Sequence, residues 1–167
     1  TIKIENSAVS HQDGESELNI PESFHANRGS AKLVESNSGS SNEKRIKTQM
    51  VCLDNYFEQS EESIGTCKID IEGHEKSALI GAKKLLKDQR LRDIIYEDHN
   101  GYPSEVGTFL ESFGYEIFLI RKGLFKPLLM DPDTTPYELP NYLATHSPQR
   151  AKKRLSSMGY KVLRKIE

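Results

Sequence analysis

The chain has little that would tie it to a membrane, a disulfide framework or a polyanion. Two cysteines occur in 167 residues, Cys52 and Cys67. Neither belongs to a metal-type pair, and both lie in strand-like runs where a reduced, buried thiol is expected. No apolar run approaches the ~20 residues that a membrane-spanning helix needs. Thr1 to Ser7 lack the basic start, apolar stretch and small-residue cleavage site of a signal peptide. The formal net charge is -2, so nothing in the electrostatics calls for nucleic acid or an anionic membrane as a partner. These absences point to a cytoplasmic protein. Apolar residues are scarce at 35% and charged ones plentiful at 29%, partly because of one stretch. Glu35 to Asn42 has almost nothing to bury and reads as a mobile surface loop.

A chain of this length closes one hydrophobic core, and a second domain is not expected. It starts without a methionine and in mid-pattern. Thr1-Ile2-Lys3-Ile4 already alternates as a strand does, which suggests a beginning inside a larger domain.

Local signals divide the rest into elements. Ile2 to Val9 reads as a strand, His11 to Gly14 as a turn, and Glu15 to Ile20 as its hairpin partner. Gln49 to Leu53 is a short apolar strand, and Asp54 offers an N-cap for a short helix carrying Tyr56 and Phe57. Thr66 to Ile71 is a strand ending in Glu72-Gly73. A helix follows from Glu75 to Asp88, with Ala78, Leu79, Ala82, Leu85 and Leu86 at helical spacing. Gly81 costs roughly 1 kcal/mol inside such a helix, which is best explained by close approach of helix to sheet. Arg92 to Glu97 is the next strand. Ser104 caps a helix with Val106, Phe109, Leu110 and Phe113 on one side, Gly114 stops it, and Tyr115 to Ile120 is a third strand. Strand and helix alternating in this way is the pattern of right-handed parallel crossovers.

Beyond that point Pro127, Pro132, Pro136 and Pro140 punctuate a looping segment. Ser147-Pro148 opens a last helix with Ala151, Leu155 and Met158 inward, followed by Gly159 and a strand from Tyr160 to Ile166. The seven Lys and Arg residues between Arg150 and Lys165 read as a solvated helix face and a charged edge strand.

Chemistry concentrates at two strand ends, where ligands of open α/β sheets bind. The first supplies Asp70, Glu72, His74 and Glu75; the second supplies Glu97, Asp98 and His99. Neighbouring strands lie ~4.8 Å apart, so adjacent strands would converge these clusters on one crevice. Lys68, Asp70 and Glu72 share one face of their strand. Three charges on a helix-covered face are expensive unless paired or lining a site. A salt-bridge network, Lys68 with Asp70 or with Glu97, is the structural account of the same residues.

Lys68-Ile69-Asp70-Ile71-Glu72-Gly73-His74-Glu75, followed by Leu79-Ile80-Gly81-Ala82, resembles the central motif of the FkbM family of S-adenosylmethionine-dependent methyltransferases. Val51 to Asp54 is similar to that family's Leu-Asp segment, and Ala8-Val9-Ser10 with Asp13-Gly14 to its third-strand region. Gly114-Tyr115 and Asn141 to Ala144 also match. The resemblance implies an α/β, class I methyltransferase-like fold, a doubly wound and mostly parallel sheet. Residues 1–167 would form one partial domain, incomplete at its N-terminal side, because no glycine-containing cofactor loop precedes Thr1. Such a piece alone should be inactive or aggregation-prone.

The implied reaction is methyl transfer from S-adenosyl-L-methionine to a hydroxyl of a small molecule or glycan, often a sugar or natural product. A base titrating near neutrality suits removal of the hydroxyl proton, which makes His99 the first candidate and His74 the second. Asp70 would lie nearest the sulfonium or the acceptor, while Glu72 and Glu97 would orient the acceptor or the histidine. Two other readings stay open. Asp70, Glu72, His74, Glu97 and His99 offer ligands for a divalent metal, and a noncatalytic interaction domain would also lack the cofactor loop. Neither the acceptor nor the oligomeric state is encoded legibly.

Overall fold

The computed structural model describes residues 2–20, 31–33 and 44–156. The Glu35–Asn42 loop and the final strand from Tyr160 to Ile166 lie outside the described residues, as does Met158. The described chain divides into two compact units, one comprising residues 1–61 and 71–85 and the other 62–70 and 86–167. No helix among the described residues is long and apolar enough to cross a membrane.

The first unit is a four-stranded sheet built from β1 (Ser7–Ser10), β2 (Gly14–Ile20), β3 (Lys32–Leu33) and β4 (Lys44–Cys52), in the order β1-β4-β2-β3. The expected hairpin between the first two strands does not form. β4 lies between them, parallel to β1 and antiparallel to β2 over Gly14 to Ile20. Nine residues of β4 can satisfy all seven of β2, whereas β1 is only four residues long. Ile2 and Ile4 lie outside any strand and are 89% and 87% exposed. Alternation marks residues able to pair, but supplies no partner.

Three short helices complete the central motif: α1 (Leu53–Tyr56), α2 (Glu75–Ile80) and α3 (Lys83–Lys87). The single helix expected over 75–88 is therefore two, broken at Gly81-Ala82. The break has a definite cause. In an unbroken helix the Gly81 carbonyl would accept the Leu85 N–H. Here it accepts from the Asp54 N–H at 2.8 Å and the Cys52 thiol at 3.1 Å. The freed Lys84 and Leu85 N–H groups donate instead to the Asp54 carboxylate, at 2.9 and 3.0 Å. Asp54 thus caps α3, not the helix it sits in; α1 begins at Leu53 with Cys52 at its cap position. The predicted close approach at Gly81 is present. A Cβ there would overlap the backbone carbonyl oxygen of Ser10 in β1.

The second unit is a five-stranded sheet made of β5 (Ile64–Ile69), β6 (Leu91–Glu97), β7 (Glu116–Lys122), β8 (Pro127–Met130) and β9 (Asn141–Thr145), ordered β5-β6-β9-β7-β8. β5 and β6 are parallel neighbours. β9 runs antiparallel between β6 and β7, which leaves β7 parallel in direction to β6 without touching it. Helix α4 (Glu105–Glu111) is capped as expected, the Ser104 hydroxyl accepting from the Gly107 N–H at 3.0 Å, and Gly114 adopts φ 83°. Helix α5 (Pro148–Leu155) starts at the expected Ser147-Pro148.

One strand sits where a loop was expected, and another where no element was assigned. β8 tolerates Pro127 because it is an edge strand and proline is its first residue. β9 is central, with Tyr142, Leu143, Ala144 and Thr145 all buried. The fold is thus mixed α/β. Of the seven strand pairings among the described residues two are parallel, so neither sheet is the mostly parallel one expected. In the second sheet the interposed β9 is the reason, since it separates β6 from β7.

Candidate active site at the strand ends

Register defines one row of side chains across the second unit. Ile69 pairs with Tyr96, Glu97 with Asn141, and Asn141 with Ile120. Asp70 follows the last paired residue of β5, and by alternation it falls on the face that carries Glu97, Asn141 and Ile120. The preceding row, Ile69, Tyr96, Tyr142 and Leu119, is buried on the opposite face. Tyr96 and Tyr142 stack there at 5.5 Å, and the Tyr96 hydroxyl is buried without a hydrogen-bond partner. Burial and then the nearby Asp98 carboxylate push the Tyr96 hydroxyl well above its ordinary pKa.

The charges in the exposed row are arranged in two pairs. Lys68 Nζ lies 2.9 Å from Asp70 Oδ2, with the two side chains 46% and 56% exposed. The cost anticipated for charges on a covered face does not arise, because β5 is an edge strand and this end of it is open to water. Such a pair contributes about 0–1 kcal/mol and exchanges partners readily. His99 Nε2 lies 3.2 Å from Glu97 Oε1, with the imidazole mostly exposed and the carboxylate largely covered. A carboxylate bound to one ring nitrogen fixes the tautomer, leaving Nδ1 of a neutral ring as the proton acceptor.

Glu72 and His74 belong to the first unit and have different surroundings. Glu72 adopts φ 53° and Gly73 φ 93°, a left-handed turn leading into α2. The buried Glu75 carboxylate holds that turn, accepting from the Ile71 and Gly73 N–H groups at 3.3 and 3.2 Å. His74 Nε2 is 3.0 Å from the hydroxyl of Ser10, which is fully buried, and His11 Nδ1 is 3.0 Å from the Ser77 hydroxyl. Its ring is therefore engaged in joining α2 to β1. Among the described residues, no group of three or more His, Cys, Asp or Glu side chains is placed to hold a metal ion.

Asp98, named in the second strand-end cluster, is buried, its carboxylate accepting from the Asn100 N–H at 3.0 Å; its even parity with Tyr96 was the available signal for that burial. Two polar residues escaped the sequence reading. Asp93, also buried, gathers the Thr145 hydroxyl at 2.7 Å, Arg92 at 3.0 Å and Arg150 at 2.9 Å. His146 packs against Tyr115 with ring centroids 3.8 Å apart, and burial holds its pKa below the ordinary value against a backbone hydrogen bond with Gly114. Asp93 and His146 lie at the opposite ends of these strands from Asp70 and Glu97, and Asp93 ties α5 to the sheet through Arg150.

In comparison with known proteins, the model of the Methyltransferase FkbM domain matches residues 2–117. No curated protein and no solved structure matches the chain.

Proposed function

We propose, because the chain belongs to the FkbM methyltransferase family, that it transfers a methyl group from S-adenosyl-L-methionine to a hydroxyl oxygen of a sugar or natural-product acceptor. The observation that carries the finer reading is the row of Asp70 and Glu97, with His99 held by Glu97 at 3.2 Å. The residues present fit the cofactor in one respect that bears on the reaction. Asp70 is a solvent-facing carboxylate whose ion pair is weak enough to be exchanged, and a sulfonium cation is a suitable replacement for the Lys68 ammonium. When bound, the cofactor supplies an electrophilic methyl group.

The chain's own residues then have three tasks. Asp70 attracts the cationic end of the cofactor. Glu97 holds His99 through Nε2. His99 accepts the acceptor's hydroxyl proton at Nδ1 as the oxygen becomes nucleophilic. His74, tied to Ser10, and Glu72, in the turn before α2, serve the architecture of the first unit on this reading. Two free thiols suit a cytoplasmic setting.

The test uses protein expressed from its full reading frame and tritiated methyl donor, offered with fractionated small molecules and glycans. Label should enter a neutral, base-stable ether product, and His99→Ala should reduce its formation at least about tenfold at neutral pH. Absence of both cofactor binding and label transfer would overturn the reading; an unchanged pH–rate profile in His99→Ala would reject that residue as the base.

A further inference from the structure

The face of the five-stranded sheet that carries Asp70 and Glu97 also carries a cleft. Helix α5 covers part of this face, packing Ala151 and Leu155 against Phe118 and Leu143. Beside that contact an open cavity of about 520 Å³ remains over Ile95, Ile120 and Leu139, within the range of small-ligand sites. Its rim is basic. Arg121, Lys122 and Lys126 all line it, against one carboxylate, Glu138.

Four other cations of the same unit are paired. Lys68, Arg92, Arg150 and Lys152 each meet a carboxylate. Among the described residues Arg121, Lys122 and Lys126 meet none. The Arg121 guanidinium lies over the Tyr137 ring at 4.3 Å and donates to the Thr135 carbonyl at 3.1 Å; Lys126 donates to the Ser156 carbonyl at 3.0 Å. Neutral oxygens and an aromatic face position these side chains without cancelling their charge. The turn between β7 and β8 adds apolar surface, with Leu124 89% and Phe125 67% exposed. A chain of net charge -2 thus gathers three cations against one carboxylate around an apolar floor.

We propose that this cleft binds an amphipathic anion: an apolar body on Ile95, Ile120 and Leu139, with a phosphate, sulfate or carboxylate held by Arg121, Lys122 and Lys126. Asn141 lines the cleft and pairs with Glu97, so a ligand seated there extends toward His99. Its identity as the methyl acceptor rests on the methyltransferase reading; the binding claim does not. The concave floor favours a discrete ligand over a flat lipid surface.

Calorimetric titration tests the claim with octyl phosphate below its micellar concentration, inorganic phosphate, and octyl glucoside as the neutral amphiphile. Octyl phosphate should bind at least about tenfold more tightly than either of the others, since both halves of the site are needed. Arg121→Gln combined with Lys126→Gln should remove at least about tenfold of that affinity, while Lys47→Gln in the first unit leaves it unchanged. Lys122→Glu, at an exposed position, should weaken binding too and covers the case in which the double variant does not fold. Equal binding of octyl phosphate and octyl glucoside, or affinity indifferent to these cations, overturns the proposal. So does retention on phosphatidylserine vesicles, lost in Leu124→Ser, without octyl phosphate binding. Cofactor binding is measured separately: its failure alone removes the acceptor assignment and leaves the cleft, whereas failure of octyl phosphate alone leaves the methyltransferase reading.

Discussion

The carboxylates of the two compact units are put to different uses. In the first unit Asp13, Asp54 and Glu75 are taken up by the main chain. Asp13 accepts from the Cys52 N–H at 2.6 Å and from Asn55 at 2.7 Å, and the backbone hydrogen bond first, then Asn55, hold its pKa below the usual carboxylate value. Asp54 caps α3 and Glu75 closes the turn before α2. In the second unit Asp70 and Glu97 meet side chains instead, the Lys68 ammonium and the His99 imidazole. The contrast separates parts of one sequence motif. Leu53-Asp54, Glu75 and Gly81-Ala82 build a scaffold, while Asp70 takes no part in it and lies open to solvent.

The largest expected effect tests the scaffold side. Gly81→Ala places a methyl group on the Ser10 carbonyl and should destabilise the protein by about 3 kcal/mol or more, because backbone cannot yield as a side chain does. Urea unfolding measures this, and a loss below about 0.5 kcal/mol would break the packing account. Asp54→Ala follows at about 2 kcal/mol, the upper range for a lost cap, since two N–H groups lose their acceptor. Asp70→Asn should stay within about 0.5 kcal/mol of the parent in the same assay. Similar losses in the two aspartate variants would erase the comparison.

His99→Ala should leave stability unchanged but slow transfer at least about tenfold, roughly 1.4 kcal/mol of barrier. The smallest effect concerns pH. Burial lowers the pKa of His146 in the folded protein, so the unfolded chain binds that proton at higher pH. Stability should therefore fall as pH drops from neutral through the ordinary histidine range, and His146→Phe should flatten the fall in the thermal midpoint over that window. An identical pH profile in the variant would remove His146 from the account.

Much of the second unit was legible because its signals are local. Ser104 caps α4, Gly114 turns left-handed after it, and the apolar runs of β5, β6 and β7 stand where periodicity puts them. What escaped depends on contacts distant in sequence. Nothing near residue 141 says that β9 will lie between β6 and β7, and nothing near β2 says that β4 will displace β1. Asp54 caps a helix 30 residues away, so the helix break at Gly81 had no local mark beyond the glycine itself. The acidic and imidazole residues of the candidate site were visible from strand-end alternation. The burial of Tyr96 and Asp98, and the basic cleft, were not, since each needs the register of three strands.

We propose that Asp70, outside the hydrogen bonds of the scaffold, meets the cationic end of the cofactor. Calorimetric binding of S-adenosylmethionine and of its neutral thioether product, S-adenosylhomocysteine, to the parent and to Asp70→Asn tests it most directly. The account predicts that the substitution weakens the sulfonium at least about tenfold and the thioether by less than about twofold. Equal losses for both ligands, or none for either, would contradict it.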